Sequence, residues 1–171
     1  EFEQIGNLMV RVYSQLDGFP KADRQPEYFK LLANVGQLTQ KPGVEILVAA
    51  TPDGKILGAV VYFREMKYYG ASGSASQINE ASGFRLLAVD PAAQGMGIGK
   101  KLSEACIEKA REHQANAVII HTTRAMQTAW DMYERLGFIR FPEIDFMVGD
   151  FKVFGFKLPL DRDPSPAERS E

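Results

Sequence analysis

Apolar positions along this chain alternate between helical and strand spacing. Over residues 5–16, Ile5, Leu8, Met9, Val12 and Leu16 fall on one helical face, and Asp17-Gly18-Phe19-Pro20 ends the run. Residues 27–38 repeat the spacing with Tyr28, Leu31, Leu32 and Val35, up to a break at Lys41-Pro42-Gly43. Ile46-Leu47-Val48-Ala49-Ala50 reads as a strand, Thr51-Pro52-Asp53-Gly54 as a turn, and residues 56–63 as the antiparallel partner. Residues 69–83, rich in Gly, Ser and Ala, read as a solvated loop or as a flexible flap beside a substrate. A strand over 84–89 and an amphipathic helix over 97–112 follow. Residues 117–122 are continuously apolar up to His121, which predicts a strand covered on both faces. Residues 126–136 predict a helix closed by Gly137, and 138–141 and 152–160 two last strands. This order gives a mixed α/β fold in one domain over residues 1–160. Residues 161–171, with Pro164 and Pro166 among mixed charges, read as a disordered tail.

Composition narrows the class. The chain has 171 residues, enough for one domain with a real core. Its formal net charge of −2 gives no bulk attraction to nucleic acid or to an anionic membrane. No apolar run approaches the roughly 18 residues of a spanning helix, and no signal peptide is visible. Cys106 is the lone cysteine, so no internal disulfide forms, which fits a cytoplasmic protein. It continues the row Ile98, Leu102, Cys106, Ala110 and reads as a small buried hydrophobe, not a nucleophile.

The chemistry concentrates in Leu86-Leu87-Ala88-Val89-Asp90-Pro91-Ala92-Ala93-Gln94-Gly95-Met96-Gly97-Ile98-Gly99-Lys100. An apolar strand runs into a loop with glycine at every second position, then into a helix. Backbone N–H groups and a helix N-terminus converge there, an arrangement suited to a phosphate-rich ligand. Two better-known loops do not fit. A dinucleotide fingerprint needs Gly-x-Gly-x-x-Gly, whereas the glycines here are 95, 97 and 99. An NTP-binding P-loop needs Gly-Lys-Ser/Thr, and Lys101 follows Gly99-Lys100.

Gln94-Gly95-Met96-Gly97-Ile98-Gly99 resembles the acetyl-CoA pyrophosphate loop of the GCN5-related N-acetyltransferase (GNAT) superfamily, in its bacterial-type form. Trp130-Asp131-Met132-Tyr133-Glu134-Arg135-Leu136-Gly137-Phe138 resembles that family's Tyr-Glu-x-Leu-Gly-Phe helix end, in the family's order and near its usual separation. The resemblance runs from about residue 45 to 141 and implies a GNAT-like, largely antiparallel central sheet with helices on both faces. It also implies a first strand upstream of the helix on which this sequence opens.

The resemblance assigns roles. Gln94, Gly95, Met96, Gly97, Ile98, Gly99 and Lys100 would hold the pyrophosphate, and the backbone of Leu87, Ala88 and Val89 the pantetheine arm. Tyr133 stands where the family has a tyrosine that protonates the leaving thiolate. Many members carry a glutamate base where this chain has Gly83. Members that acetylate peptide N-termini place an acid twelve residues before the tyrosine, and His121 stands there. His121 is therefore the first candidate base and Glu80 the second. Met126 replaces an asparagine that often contacts CoA. Arg85 falls on the alternation shared by Leu87 and Val89, and a charge amid that strand needs a partner, read as an ion pair ahead of a substrate contact.

The function implied is transfer of acetyl from acetyl-CoA to a primary amine by direct attack in a ternary complex, without a metal. The acceptor would be a small molecule or a peptide. Two other readings stay open. One is a non-catalytic acyl-CoA-binding regulatory module, motivated by the absent strand glutamate. The other is a partner-binding fold, in which the aromatic-rich stretch 146–156 pairs edge to edge in a homodimer.

Overall fold

A computed structural model describes residues 1–70 and 73–161, so the expected tail lies, from residue 162 on, outside the described residues. The elements are helices α1 (Phe2–Ser14) and α2 (Pro26–Ala33), strands β1 (Val44–Ala50), β2 (Ile56–Phe63) and β3 (Ala81–Val89), helix α3 (Ile98–Glu112), strand β4 (Ala117–Thr122), helix α4 (Gln127–Arg135), and strands β5 (Ile139–Arg140), β6 (Phe146–Val148) and β7 (Phe151–Pro159). The sheet order is β1-β2-β3-β4-β7-β5, with β6 pairing β7. Only β3–β4 is parallel. A core cluster built with α1 and α2 covers one face, and a second built with α3 and α4 covers the other. No described helix is long and apolar enough to cross a membrane.

Helix α1 buries Ile5, Leu8, Met9 and Tyr13. Gly6 lets α2 cross closely, since a Cβ there would lie 2.3 Å from the Ala33 carbonyl oxygen. The helix expected through residue 38 divides instead. The Asn34 side chain donates to the Lys30 carbonyl at 2.9 Å and caps α2. The chain then continues as a tight 3₁₀ turn over Val35–Gln40.

Strand β3 begins at Ala81, inside the stretch expected to be a loop. Tyr69 and Ala75 of that stretch are fully buried, so it anchors in the core. The parallel ladder with β4 covers Ala81↔Ala117, Ser82↔Val118 and Gly83↔Ile119, and then stops. Beyond it, residues 84–89 bond β2 alone, and a gap opens between β3 and β4.

A bulge sits at this gap. Ala59 pairs Ala88 while Val61 pairs Arg85, so Leu86 and Leu87 oppose the single residue Val60. Leu86 carries it at φ 61°, a left-handed conformation rare for a bulky side chain. One extra residue inverts the alternation. Arg85 therefore does not share a face with Leu87 and Val89. Those two pack with the α3/α4 core, whereas Arg85 lies over the Tyr69 ring in the α1/α2 core.

The stretch 146–156 folds as the β6–β7 hairpin, and β7 is flanked by β4 on one side and by β5 and β6 on the other.

Candidate active site

The glycine loop follows β3 through a 3₁₀ turn, Pro91–Ala93, which Asp90 caps by accepting the Ala92 amide at 3.0 Å. Gly95 and Gly97 take φ 84° and 77°, which a side chain would strain, and a Cβ on either would meet no atom within 4 Å. The loop stands open above the N-terminus of α3. Lys101 N donates to the Gly97 carbonyl, and before it the amides of residues 95–100 have no protein acceptor among the described residues. Six adjacent donors at a helix N-terminus form an anion cradle that fits a pyrophosphate. Ile98 offers only its amide, since its side chain anchors in the core. Gln94, Met96 and Lys100 are exposed, and Lys100 lies 3.8 Å from the Glu104 carboxylate.

The cradle joins the strand gap. A Cβ on Gly99 would touch Val89, Leu87 and the Met132 sulfur at 3.7–3.8 Å, so α3, β3 and α4 meet there. Leu87 and Val89 are half-buried and Ala88 buried. The Leu87 carbonyl accepts the Tyr13 hydroxyl at 3.0 Å, which ties α1 to the bulge.

Tyr133 lies on α4 against Phe84 and Phe138, with ring centroids 6.0 and 5.7 Å away. Its hydroxyl has no hydrogen-bond partner among the described residues, yet it is not sealed in the interior. Burial, and then the neighbouring Cys106 and Tyr69, hold its proton more firmly than in a free phenol. Its helix meets the strand edge at the neighbouring Met132, whose sulfur would lie 3.8 Å from a Cβ on Gly99.

His121 faces the other side of the gap, on β4. Its Nε2 is 2.9 Å from the Ile144 carbonyl and its Nδ1 2.9 Å from the Tyr69 hydroxyl. A carbonyl only accepts, so Nε2 carries the proton, and Nδ1 accepts from Tyr69. Burial first, with help from the positive charge of Arg85, lowers the imidazole to about 4. It is therefore neutral at physiological pH, with its basic lone pair already engaged.

Glu80 stands apart from these groups. Its carboxylate accepts from the Asn116 side chain at 2.8 Å and its carbonyl from the Asn116 amide at 2.7 Å, where β3 and β4 begin. Seven residues of strand, roughly 20 Å, separate it from Leu87.

Gly83, where a strand glutamate was sought, has no room for a side chain. A Cβ there would lie 2.8 Å from the Ile119 carbonyl oxygen and 2.9 Å from Met66 and Tyr69. Tyr69 and Tyr13 are the site residues that sequence reasoning missed. Tyr69 sat in a stretch read as loop, and Tyr13 beside a helical face already complete without it.

Comparison with known proteins agrees with this architecture. The sequence model of the acetyltransferase (GNAT) family matches residues 8–138. The chain belongs to that family. Among curated family members it is similar to mycothiol acetyltransferase of Arthrobacter sp. (strain FB24), with 36% identity over 103 residues, 60% of this chain and 29% of that enzyme. The chain thus spans about 30% of the length of the mycothiol acetyltransferases it matches. Among solved structures, a GNAT-family acetyltransferase from Staphylococcus aureus Mu50 superposes with TM-score 0.69 at 19% identity, covering 94% of this chain and 93% of that one. A GCN5-related N-acetyltransferase from Kribbella flavida gives 0.65 at 19% identity, covering 93% and 92%. At these identities the superpositions establish the family's fold: a mixed, largely antiparallel sheet between helical layers.

Proposed function

We propose that this chain is an N-acetyltransferase that moves the acetyl group of acetyl-CoA to a primary amine within a ternary complex. The observation that carries the reading is the run of six amides, 95–100, unpartnered among the described residues and opening beside the gap between β3 and β4. Acetyl-CoA supplies an activated thioester whose carbonyl the amine attacks and whose sulfur departs.

This chain's own groups bind, orient and move protons. The cradle amides and the α3 dipole hold the pyrophosphate. The strand edge at Leu87, Ala88 and Val89 bonds the pantetheine amides, in space that β4 does not fill. Tyr133 Oη, open and without a protein partner, donates its proton to the departing sulfur. His121 is a positioning residue in this scheme. Its Nδ1 fixes the Tyr69 hydroxyl, and Tyr69 with Arg85 forms the wall that the acceptor meets. The amine reaches the site by loss of its proton to water, and catalysis is largely positioning. Cys106, buried and pushed up to about 12 chiefly by that burial, takes no part as a nucleophile.

Calorimetric titration with acetyl-CoA, followed by thiol release with a panel of amines, tests the proposal. Saturable binding and intersecting steady-state lines are expected. Intact protein that does not bind acetyl-CoA would overturn it. Binding without transfer to any amine would favour the regulatory module instead.

A further inference from the structure

Arg85 is the unresolved charge of this fold. It sits on the central strand β3, half-buried, one residue before the bulge that borders the gap. No carboxylate among the described residues lies within ion-pair distance of it. Asp145, the carboxylate that acts on the neighbouring His121, is engaged by Arg140 and Lys152. One Arg85 N–H donates to the Tyr69 carbonyl at 2.8 Å and the guanidinium lies 5.4 Å above the Tyr69 ring. Its other N–H groups have no acceptor among the described residues. A half-buried guanidinium keeps its charge and favours a bidentate anion at its free edge.

The surroundings favour an apolar body beside that anion. Tyr13, Phe19, Tyr28 and Phe151 pack ring to ring at 5.5–6.0 Å. Arg85 is within electrostatic reach of Tyr13, Tyr28 and Tyr69. Tyr28 and Phe151 are half-buried, so the cluster keeps an accessible side.

From Arg85, which no carboxylate among the described residues pairs, and the aromatic cluster beside it, we infer that the acceptor is a small amino carboxylate with an apolar side group. Its carboxylate pairs with Arg85 and its side group lies against Tyr13 and Tyr28. This rests on the acetyltransferase reading and names the substrate class for the same site. The step balances. The neutral amine nitrogen bonds the acetyl carbon, the carbon–sulfur bond breaks, Tyr133 protonates the sulfur, the proton of the new ammonium leaves to water, and Tyr133 regains a proton from water.

The test titrates CoA-loaded protein with 3-phenylpropanoate and, separately, with its amide, following the Arg85 Nε–H resonance by NMR. The carboxylate should bind at least tenfold more tightly than the amide and shift that resonance. Arg85→Gln should reduce the preference below about twofold, and Arg85→Lys should leave part of it. Equal affinity for the pair in the unaltered protein overturns the inference without any variant, and so does a preference that survives in folded Arg85→Gln. Binding of neither compound to protein that binds CoA overturns it as well. If CoA itself does not bind, the acetyltransferase reading fails, and the same titration on the free protein still decides the anion site.

Discussion

Gly97 allows the cradle to be tested against its own backbone strain. Gly97→Ala places a methyl group where the fold has no atom within 4 Å, in the space the pyrophosphate would enter. The residue must still adopt φ 77°, which costs an L-residue about 1–2 kcal/mol. Gly149 is the matched control. It has φ 62° in the β6–β7 turn, likewise with nothing within 4 Å of an added Cβ. For a chain of this length each kcal/mol lowers Tm by roughly 2–4 °C, so both variants should melt a few degrees below the parent. Ligand separates them. At a concentration 100 times the parent's Kd, acetyl-CoA should stabilise the parent and Gly149→Ala by about 2.7 kcal/mol. If the methyl weakens binding tenfold, Gly97→Ala gains only about 1.4 kcal/mol under the same conditions. Thermal melts with and without acetyl-CoA, checked by calorimetry, read both quantities. Equal ligand-induced shifts in the two variants would refute the assignment of the cradle.

Tyr133→Phe removes a hydroxyl with no partner among the described residues, so Tm should move by under 2 °C while kcat falls about 100-fold; an unchanged kcat in the thiol-release assay refutes the proton-donor role. Between about 4 and 6.5, unfolded His121 binds a proton that the folded ring refuses, so stability falls as pH drops through that window, by roughly 3 kcal/mol in all. Urea midpoints against pH should show this, with a shallower acid slope in His121→Gln. With no side chain acting as base, log kcat/KM should rise with pH toward the pKa of the amine, and an inflection near 4 that His121→Gln abolishes would return His121 to the role of base. Gly83→Glu should not create a better enzyme; the 2.8–2.9 Å approaches around that Cβ predict a loss of at least about 2 kcal/mol, measured by denaturant unfolding.

The glycine loop proposed to hold the cofactor was legible as a loop because backbone builds it. A cradle of amides needs glycine at the left-handed positions 95 and 97 and a helix directly after, and such a feature is written contiguously. The same holds for the boundaries of β2 and β4, whose apolar runs match the strands residue for residue. The bulge was not legible. Nothing in Arg85-Leu86-Leu87-Ala88 marks an extra residue, because leucine seldom accepts φ 61° and is held there by burial in the core. A strict alternation therefore put Arg85 on the wrong face. The division of residues 27–38 was equally hidden, because the cap is one side chain, Asn34, folding back on Lys30.

The acceptor half is assembled from distant segments, and that explains both what was missed and what the site now implies. Tyr13 reaches Leu87 across 74 positions and Tyr69 reaches His121 across 52. Neither pair has a local spacing to announce it. The glutamate expected at position 83 is excluded by the Ile119 carbonyl oxygen, by Met66 and by the ring of Tyr69, and that ring also stands at the His121 lone pair and under the Arg85 guanidinium. Packing around position 83 thus leaves no room for a carboxylate base, and in the proposed reaction Arg85 is the cation that the acceptor meets. In the proposed reaction no fixed base pulls a proton from the ammonium. The acceptor enters as the neutral amine, and its carboxylate offsets the repulsion that Arg85 would otherwise impose. If amines without a carboxylate proved the better acceptors and Arg85→Gln improved them further, that coupling between the missing base and the unpaired cation would be wrong.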